Sequence, residues 1–233
     1  MAPPTHPEDL TSQSGARQAG PPASTALPTV GTQAERLVQL GVPELAGITA
    51  DRLRDLAAEL PTGPGLLAVD PTLVPTALLA ELMSRDGKAG FVVVDMTDLA
   101  EFTPTDDIHV PDAPLYLVDD VTRGDDMLGW PPTDAHPELT ARGRTPLTIS
   151  EGVSWLLQQP GQLESGACFM CIGSRKRKLT GGLDPRTPAL WISGGTGRDG
   201  RANKGAPKLG WCWAGNHHTW LGIASASGRR GPD

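Results

Sequence analysis

Apolar residues recur at helical spacing in several segments of the first two thirds of the chain. A first helix is predicted to begin at Thr32, because Glu35 follows three residues later, as in a capping box. A second helix is predicted to begin near Thr49. The clearest helix follows Thr148, since Glu151 again lies three residues on and an apolar run comes after it.

Short apolar runs bounded by Gly, Pro or Asp predict strands between and after these helices. The earlier ones are 65–70, 90–96 and 114–121, and the triple valine in the second makes it the clearest of them. Four more strands are predicted at 167–173, 188–193, 208–215 and 218–225. Helices and strands followed by a run of strands indicate an α+β fold with a mostly antiparallel C-terminal sheet.

Composition divides the chain into one domain and two flanking segments. Residues 1–33 contain six prolines and no aromatic residue. Such a segment cannot bury enough apolar surface to offset its chain entropy, and we expect a disordered tail. Residues 34–228 are expected to form a single α+β domain, and 229–233 a flexible C-terminus.

No run of eighteen apolar residues and no signal peptide pattern occurs in the sequence, which predicts a cytoplasmic protein. The three cysteines are too few for a disulfide framework and favour free thiols or metal ligands.

Charge is distributed unevenly along the chain. Residues 1–165 hold 9 basic and 24 acidic side chains, whereas residues 166–233 hold 11 basic and 3 acidic ones. A negatively charged partner is therefore expected at the C-terminal third. The overall charge of −7 weakens the case for nucleic acid, because it opposes non-specific binding to phosphates.

The stretch GWCWAGNHHTWLG, residues 210–222, contains the densest chemistry. A hairpin turn at Ala214–Asn216 would place Cys212 opposite His218, with their Cβ atoms about 4.5–5.5 Å apart. His217 would then point to the other face of the sheet, because side chains alternate along a strand.

Two kinds of chemistry fit such a pair. Cys212 and His218 could join Cys168, and less readily Cys171, in a zinc or iron site. Alternatively, Cys212 could act as a nucleophile with His218 as its base, and Asn216 or Ser174 as an orienting or oxyanion group. In both cases the competing interpretation is that small, apolar cysteines are packed in the core.

A Gly-Ser turn followed by four basic residues begins at Gly173. Its backbone amides, Ser174 and Arg175 form a plausible cradle for an anion. Trp191, Trp213 and Trp220 would wall the pocket, or stack bases if the partner were a nucleic acid. A solvated basic loop is the alternative.

The blocks CFMCIGSR, PALWIS and PKLGWCWAGNHHTWLG, with AERLVQLGVPELAG near residue 34, resemble an actinobacterial family of unknown function. The resemblance covers about residues 34–228. It implies a cysteine at Cys168 and Cys212 and a histidine at His218, but no cysteine at Cys171 and no run of four basic residues. It implies no activity.

The sequence therefore favours a small-molecule site with a Cys/His pair and a basic loop, in an enzyme acting on an anionic metabolite. Two alternatives remain: a non-enzymatic protein that binds an acidic partner or nucleic acid through its basic, tryptophan-rich third, and a metal-stabilised structural domain. The residues do not decide whether the chain is an enzyme.

Overall fold

A computed structural model describes residues 26–232 of the 233-residue chain. Most of the tail predicted at 1–33 lies outside the described residues, as does residue 233. The helices are α1 (Val30–Gln39), α2 (Val42–Ala46), α3 (Ala50–Ala58), α4 (Thr76–Leu82), α5 (Pro132–Ala141) and α6 (Ile149–Gln158).

The strands are mostly short. They are β1 (Leu66–Val69), β2 (Ser84–Arg85), β3 (Lys88–Ala89), β4 (Phe91–Val92), β5 (Thr103–Pro104), β6 (Leu115–Asp119), β7 (Thr145–Pro146), β8 (Cys168–Met170), β9 (Ser174–Arg175), β10 (Arg186–Ile192), β11 (Pro207–Trp213), β12 (Leu221–Ile223), β13 (Ser225–Ala226) and β14 (Gly228–Arg230). Together with the helices they confirm the predicted α+β class.

Two sheets organise the described residues. One has three antiparallel strands in the order β1-β6-β14, and the other has five strands in the order β12-β8-β10-β11-β4. In the larger sheet β8–β10 and β10–β11 are antiparallel, whereas β12–β8 and β11–β4 are parallel. The C-terminal sheet is therefore mixed, because β12 and β4 reach its edges by crossover connections and not by hairpins.

Helix α6 lies between these two sheets, and all ten of its residues are buried. On one side, the Val69 amide of β1 donates to Ser154 Oγ at 3.1 Å. On the other side, Gly152 faces the larger sheet, where an added Cβ would lie 2.9 Å from Leu190 Cδ1 and in contact with Cys171 Sγ. A glycine here allows the helix backbone to approach the sheet closely.

The observed helix starts can be compared with the caps predicted from the sequence. The capping box of Thr148 and Glu151 is confirmed, and Thr49 caps α3 as predicted. Helix α1 is instead capped by Thr29, three residues before the predicted Thr32, because the Thr29 hydroxyl accepts the hydrogen bond of the Thr32 amide.

Two other predictions need correction. The strand expected over 90–96 is reduced to Phe91–Val92, because the chain turns where the Met96 amide bonds the Val93 carbonyl. The C-terminus expected to be flexible from residue 229 begins instead with Arg229 and Arg230 of strand β14, which pairs with β6.

Among residues 26–232 no helix has both the length and the apolar character needed to cross a membrane.

Candidate functional site

The hairpin predicted to join Cys212 and His218 is absent from the described residues. Cys212 lies opposite Thr187 of β10, and strands β10 and β8 separate β11 from β12 in the sheet. His218 occupies the connection between β11 and β12, where its carbonyl accepts from the Gly129 amide at 2.8 Å. The neighbouring His217 Nδ1 lies 2.8 Å from the Gly129 carbonyl oxygen. The predicted pairing of Cys212 with His218 was wrong, because β11 and β12 are not neighbours in the sheet.

The three cysteines are separate, buried thiols. Cys168 Sγ donates to the Glu164 carbonyl at 3.5 Å, and Cys171 packs against helix α6. Burial raises the pKa of Cys212 to about 11, and it also raises the pKa values of Cys168 and Cys171. Within the described part of the chain, no three His, Cys, Asp or Glu side chains are arranged to hold a metal ion. The structure therefore does not assemble the ligand set predicted for zinc or iron.

The proposed nucleophile and base share no hydrogen bond. No described residue accepts or donates a hydrogen bond at His218 Nε2, which is buried, and no hydrogen bond links this ring to Cys212. Burial lowers the pKa of His218. Asn216 is exposed, and its backbone N–H donates to the Trp213 carbonyl. Catalysis by Cys212, His218 and Asn216 stays a prediction, without the hydrogen bond that activation of a thiol requires.

The tryptophans form two separate groups. Trp191 is buried, and its ring packs over Gly210. The same ring contacts Trp220 edge to face, with 6.4 Å between ring centroids. Trp213, which is 46% exposed, packs against Trp211 at 4.6 Å. The predicted pocket walled by Trp191, Trp213 and Trp220 is therefore not formed as one aromatic cluster.

Most basic residues of the C-terminal third have an acidic partner from earlier in the chain. The ion pairs are Lys176 with Asp98 and Glu101, Arg177 with Asp106, Arg186 with Asp98, Arg198 with Asp95, Arg229 with Glu151 and Arg230 with Asp119. The basic C-terminal third is thus largely paired with the acidic first part of the same chain. These ion pairs reduce the positive charge that is available to a nucleic acid.

Arg175, which was predicted to form part of the anion cradle, is half-buried. Its Nη2 donates to the Asp184 carbonyl at 2.8 Å, and its buried Nε has no hydrogen-bond partner among residues 26–232. Burial lowers the pKa of this guanidinium. Anion binding by Arg175 is untested by these contacts and stays a prediction.

Ser174 lines a cavity of about 610 Å³ at the N-terminal end of helix α6. This volume is typical of a small-molecule site. The cavity lies between the β1–α4 connection, the segment 99–112 and the start of α6. Its lining residues are Asp70, Pro71, Thr72, Pro75, Thr76, Ala77, Leu99, Ala100, Phe102, Thr103, Pro104, Val110, Pro111, Asp112, Tyr116, Thr148, Ile149, Ser150 and Ser174.

Hydroxyl groups are concentrated on one wall of this cavity. Ser174 Oγ accepts from the Ile149 amide at 2.9 Å, which leaves its own proton free for donation. The hydroxyl oxygens of Thr148 and Ser150 lie 3.2 Å apart, and all three hydroxyl-bearing residues are buried. The capping box holds this wall in place, because it fixes the first turn of α6.

Tyr116 is one of the lining residues, and its side chain contacts a buried ion pair. Its hydroxyl donates to Glu151 Oε1 at 3.1 Å, and Glu151 Oε2 accepts from Arg229 Nη2 at 2.8 Å. Burial, together with the negative charges of Glu151 and Asp70, raises the pKa of Tyr116 well above its ordinary value. Tyr116 is therefore a neutral phenol, whose proton is shared with Glu151.

Asp70 begins the turn that follows β1. Its Oδ1 accepts from the amide and the hydroxyl of Thr72, at 2.8 and 2.6 Å. The Asp70 amide donates to the Pro114 carbonyl at 3.0 Å. This side-chain turn fixes the carboxylate at the cavity wall.

A second, larger cleft of about 1020 Å³ lies at the opposite end of α6, where it is lined by Trp155 and Gln159. Four ion pairs line it: Arg123–Asp125, Arg142–Asp126, Arg144–Asp120 and Arg230–Asp119. Because these charges already satisfy one another, a ligand would have to compete with them. The smaller cavity has free donors and is the better candidate.

A family model described as Family of unknown function (DUF5701) matches residues 36–232. The chain belongs to this family. No curated protein and no solved structure matches it.

Sequence reasoning found one residue of this cavity as a ligand-binding residue, Ser174, and missed the remainder. Thr148 was identified as a helix cap, and a cap is also where a helix presents free backbone donors. Asp70 carried a weaker signal, since Asp followed by Pro and Thr after an apolar strand is typical of a turn.

Proposed function

We propose that this protein binds a small molecule in the cavity at the N-terminal end of helix α6. The observation that carries the proposal is the convergence of three buried hydroxyl-bearing residues, Thr148, Ser150 and Ser174, on a cavity of about 610 Å³. Small-molecule sites combine apolar walls with a few well-placed polar groups.

The apolar wall would contact the body of the ligand. Leu99, Phe102 and Ile149 line the cavity, and each of them is buried in the absence of a ligand. The hydroxyl wall would orient the ligand by donating to an acceptor such as a carbonyl, ether or hydroxyl oxygen.

Binding, and not thiol chemistry, is the activity that this site supports. Within the described part of the chain, no cysteine, histidine, lysine or arginine is among the residues that line it. The proposal therefore does not depend on Cys212 or His218, whose catalytic role stays a separate prediction.

A fragment screen by two-dimensional NMR tests the proposal with a matched pair of variants. Ala77→Trp adds a large side chain at the cavity wall, whereas Ala58→Trp adds the same side chain to an exposed site on α3. Fragments should shift the backbone amides of the lining residues in the wild type and in Ala58→Trp, but not in Ala77→Trp. Fragments that shift only amides elsewhere, or that bind Ala77→Trp equally well, would refute the proposal.

A further inference from the structure

The carboxylate of Asp70 differs from the other sheltered carboxylates of this protein. Every other acidic residue that is buried or half-buried in residues 26–232 forms an ion pair with an arginine or a lysine. These residues are Asp98, Asp119, Asp125, Glu138, Glu151, Asp184 and Asp199. Asp70 is half-buried and has no ion pair with any described residue.

The hydrogen bonds of Asp70 leave part of its carboxylate free. Both of its side-chain bonds, from the amide and the hydroxyl of Thr72, end on Oδ1. No described residue donates to Oδ2. A carboxylate that is partly withdrawn from water is destabilised unless a cation or further donors replace its hydration.

The described residues that line the cavity supply no such cation. The charged ones among them are Asp70 and Asp112, and both are acidic. Asp112 is exposed at the rim, whereas the charge of Asp70 is close enough to raise the pKa of the buried Tyr116 hydroxyl. Among the charged described residues on the cavity wall, Asp70 is therefore the sheltered one, and its carboxylate is the group that a cationic ligand would pair with.

We propose that the ligand of this cavity is an organic cation, whose ammonium group pairs with Asp70 and whose hydrocarbon body contacts Phe102 and Leu99. This inference rests on the proposed function, because it concerns the charge of the molecule that the cavity binds. It differs from the anion expected at Arg175, which is not among the lining residues.

Three probes of the same shape test the inference: 3-phenylpropylamine, 3-phenyl-1-propanol and 3-phenylpropanoate. Affinities are measured by NMR titration on the full chain, followed at the amides of the lining residues. The amine should bind wild-type protein about tenfold more tightly than the alcohol, and the carboxylate should bind most weakly.

Two matched variants separate Asp70 from the general charge of the rim. Asp70→Asn keeps an oxygen that can accept from Thr72, so the turn is retained, and it should lower the affinity for the amine to that for the alcohol. Asp112→Asn removes a negative charge from the exposed rim. This variant should keep most of the preference for the amine over the alcohol.

Three results would overturn the inference. The alcohol or the carboxylate could bind wild-type protein as tightly as the amine, Asp70→Asn could keep the preference, or no probe could shift the lining amides. The first two results would leave small-molecule binding at this cavity intact. In the third case, the fragment screen with Ala77→Trp decides separately whether the cavity binds any molecule.

Discussion

Glu151 and Arg229 form an ion pair inside the protein, with Oε2 and Nη2 2.8 Å apart although the residues are separated by 78 positions in the chain. Glu151 is fully buried, and Arg229 also donates to the Thr145 hydroxyl and the Pro146 carbonyl. The pair joins helix α6 to strand β14. It also holds the capping box that forms one wall of the candidate cavity.

Arg229→Met should strongly destabilise the protein, because it leaves the buried Glu151 carboxylate without its cation. A loss of about 3–5 kcal/mol in the free energy of unfolding is expected, measured by urea denaturation. Arg54→Met, which removes an exposed partner of Glu35, should cause a much smaller loss. Adding Glu151→Gln to Arg229→Met should recover part of the stability. Equal losses of unfolding free energy for Arg229→Met and Arg54→Met would contradict this account.

Gly152→Ala should destabilise the packing of α6 on the larger sheet. The added methyl group would meet Leu190 Cδ1 at 2.9 Å and would also meet Cys171 Sγ. Overpacking of this kind is expected to reduce stability by about 1–3 kcal/mol. Gly31→Ala is the matched control, since Gly31 also lies in a helix but has no atom within 4 Å of the added methyl group.

A double variant tests whether contact with the Cys171 thiol causes the loss of stability in Gly152→Ala. If the Cys171 thiol causes the clash, the double variant Gly152→Ala, Cys171→Ala should be more stable than Gly152→Ala alone. A thermal unfolding temperature for Gly152→Ala that matches the Gly31→Ala control would show that the helix has room to move.

Cys212 should react slowly with iodoacetamide in the folded protein at pH 7. Burial raises the pKa of this thiol to about 11, so that almost none of it is the reactive thiolate. Mass spectrometry of tryptic peptides after timed alkylation measures the rate, and the same protein in urea gives the rate for the exposed thiol. Folded-state labelling as fast as that in urea would support the nucleophile predicted from the sequence.

His218 should make stability depend on pH in the mildly acidic range. Burial lowers the pKa of its imidazole in the folded protein, so the unfolded chain binds the proton more tightly. Stability from this residue is therefore present above the unfolded pKa of about 6.5 and is lost as the pH falls below it. His218→Asn should flatten the change in urea midpoint between pH 7 and pH 5. An unchanged slope in the variant would exclude this role.

Local signals predicted local structure well. Thr148 and Glu151 are three residues apart, and the capping box between them involves only one turn of helix, so it can be read from the sequence. The same spacing at Thr32 and Glu35 located helix α1 but not its cap, which is Thr29. The same holds for Thr49, which caps α3. Ser174 follows a glycine at the end of a strand, and the same turn that suggested an anion cradle places it at the cavity.

Long-range relationships could not be predicted from one sequence. Cys212 faces Thr187 and not His218, because the chain returns to the far edge of the sheet after β11. A hairpin and a crossover differ in which strands pair, and the apolar pattern of the strands is compatible with both. The cavity was missed for the same reason, since Asp70, Phe102 and Ser150 come from three separate segments.

The pairing of β14 with β6 has a consequence for how the chain folds. Arg230 bonds to Asp119 across 111 residues, and Arg229 bonds to Glu151 across 78. Contacts so distant in sequence require the closure of long loops before they stabilise anything, which slows the search for the native topology. Until β14 docks, Glu151 is a carboxylate without a cation in the centre of the forming core. We therefore expect the central helix to reach its final packing together with this distant strand, in one cooperative step.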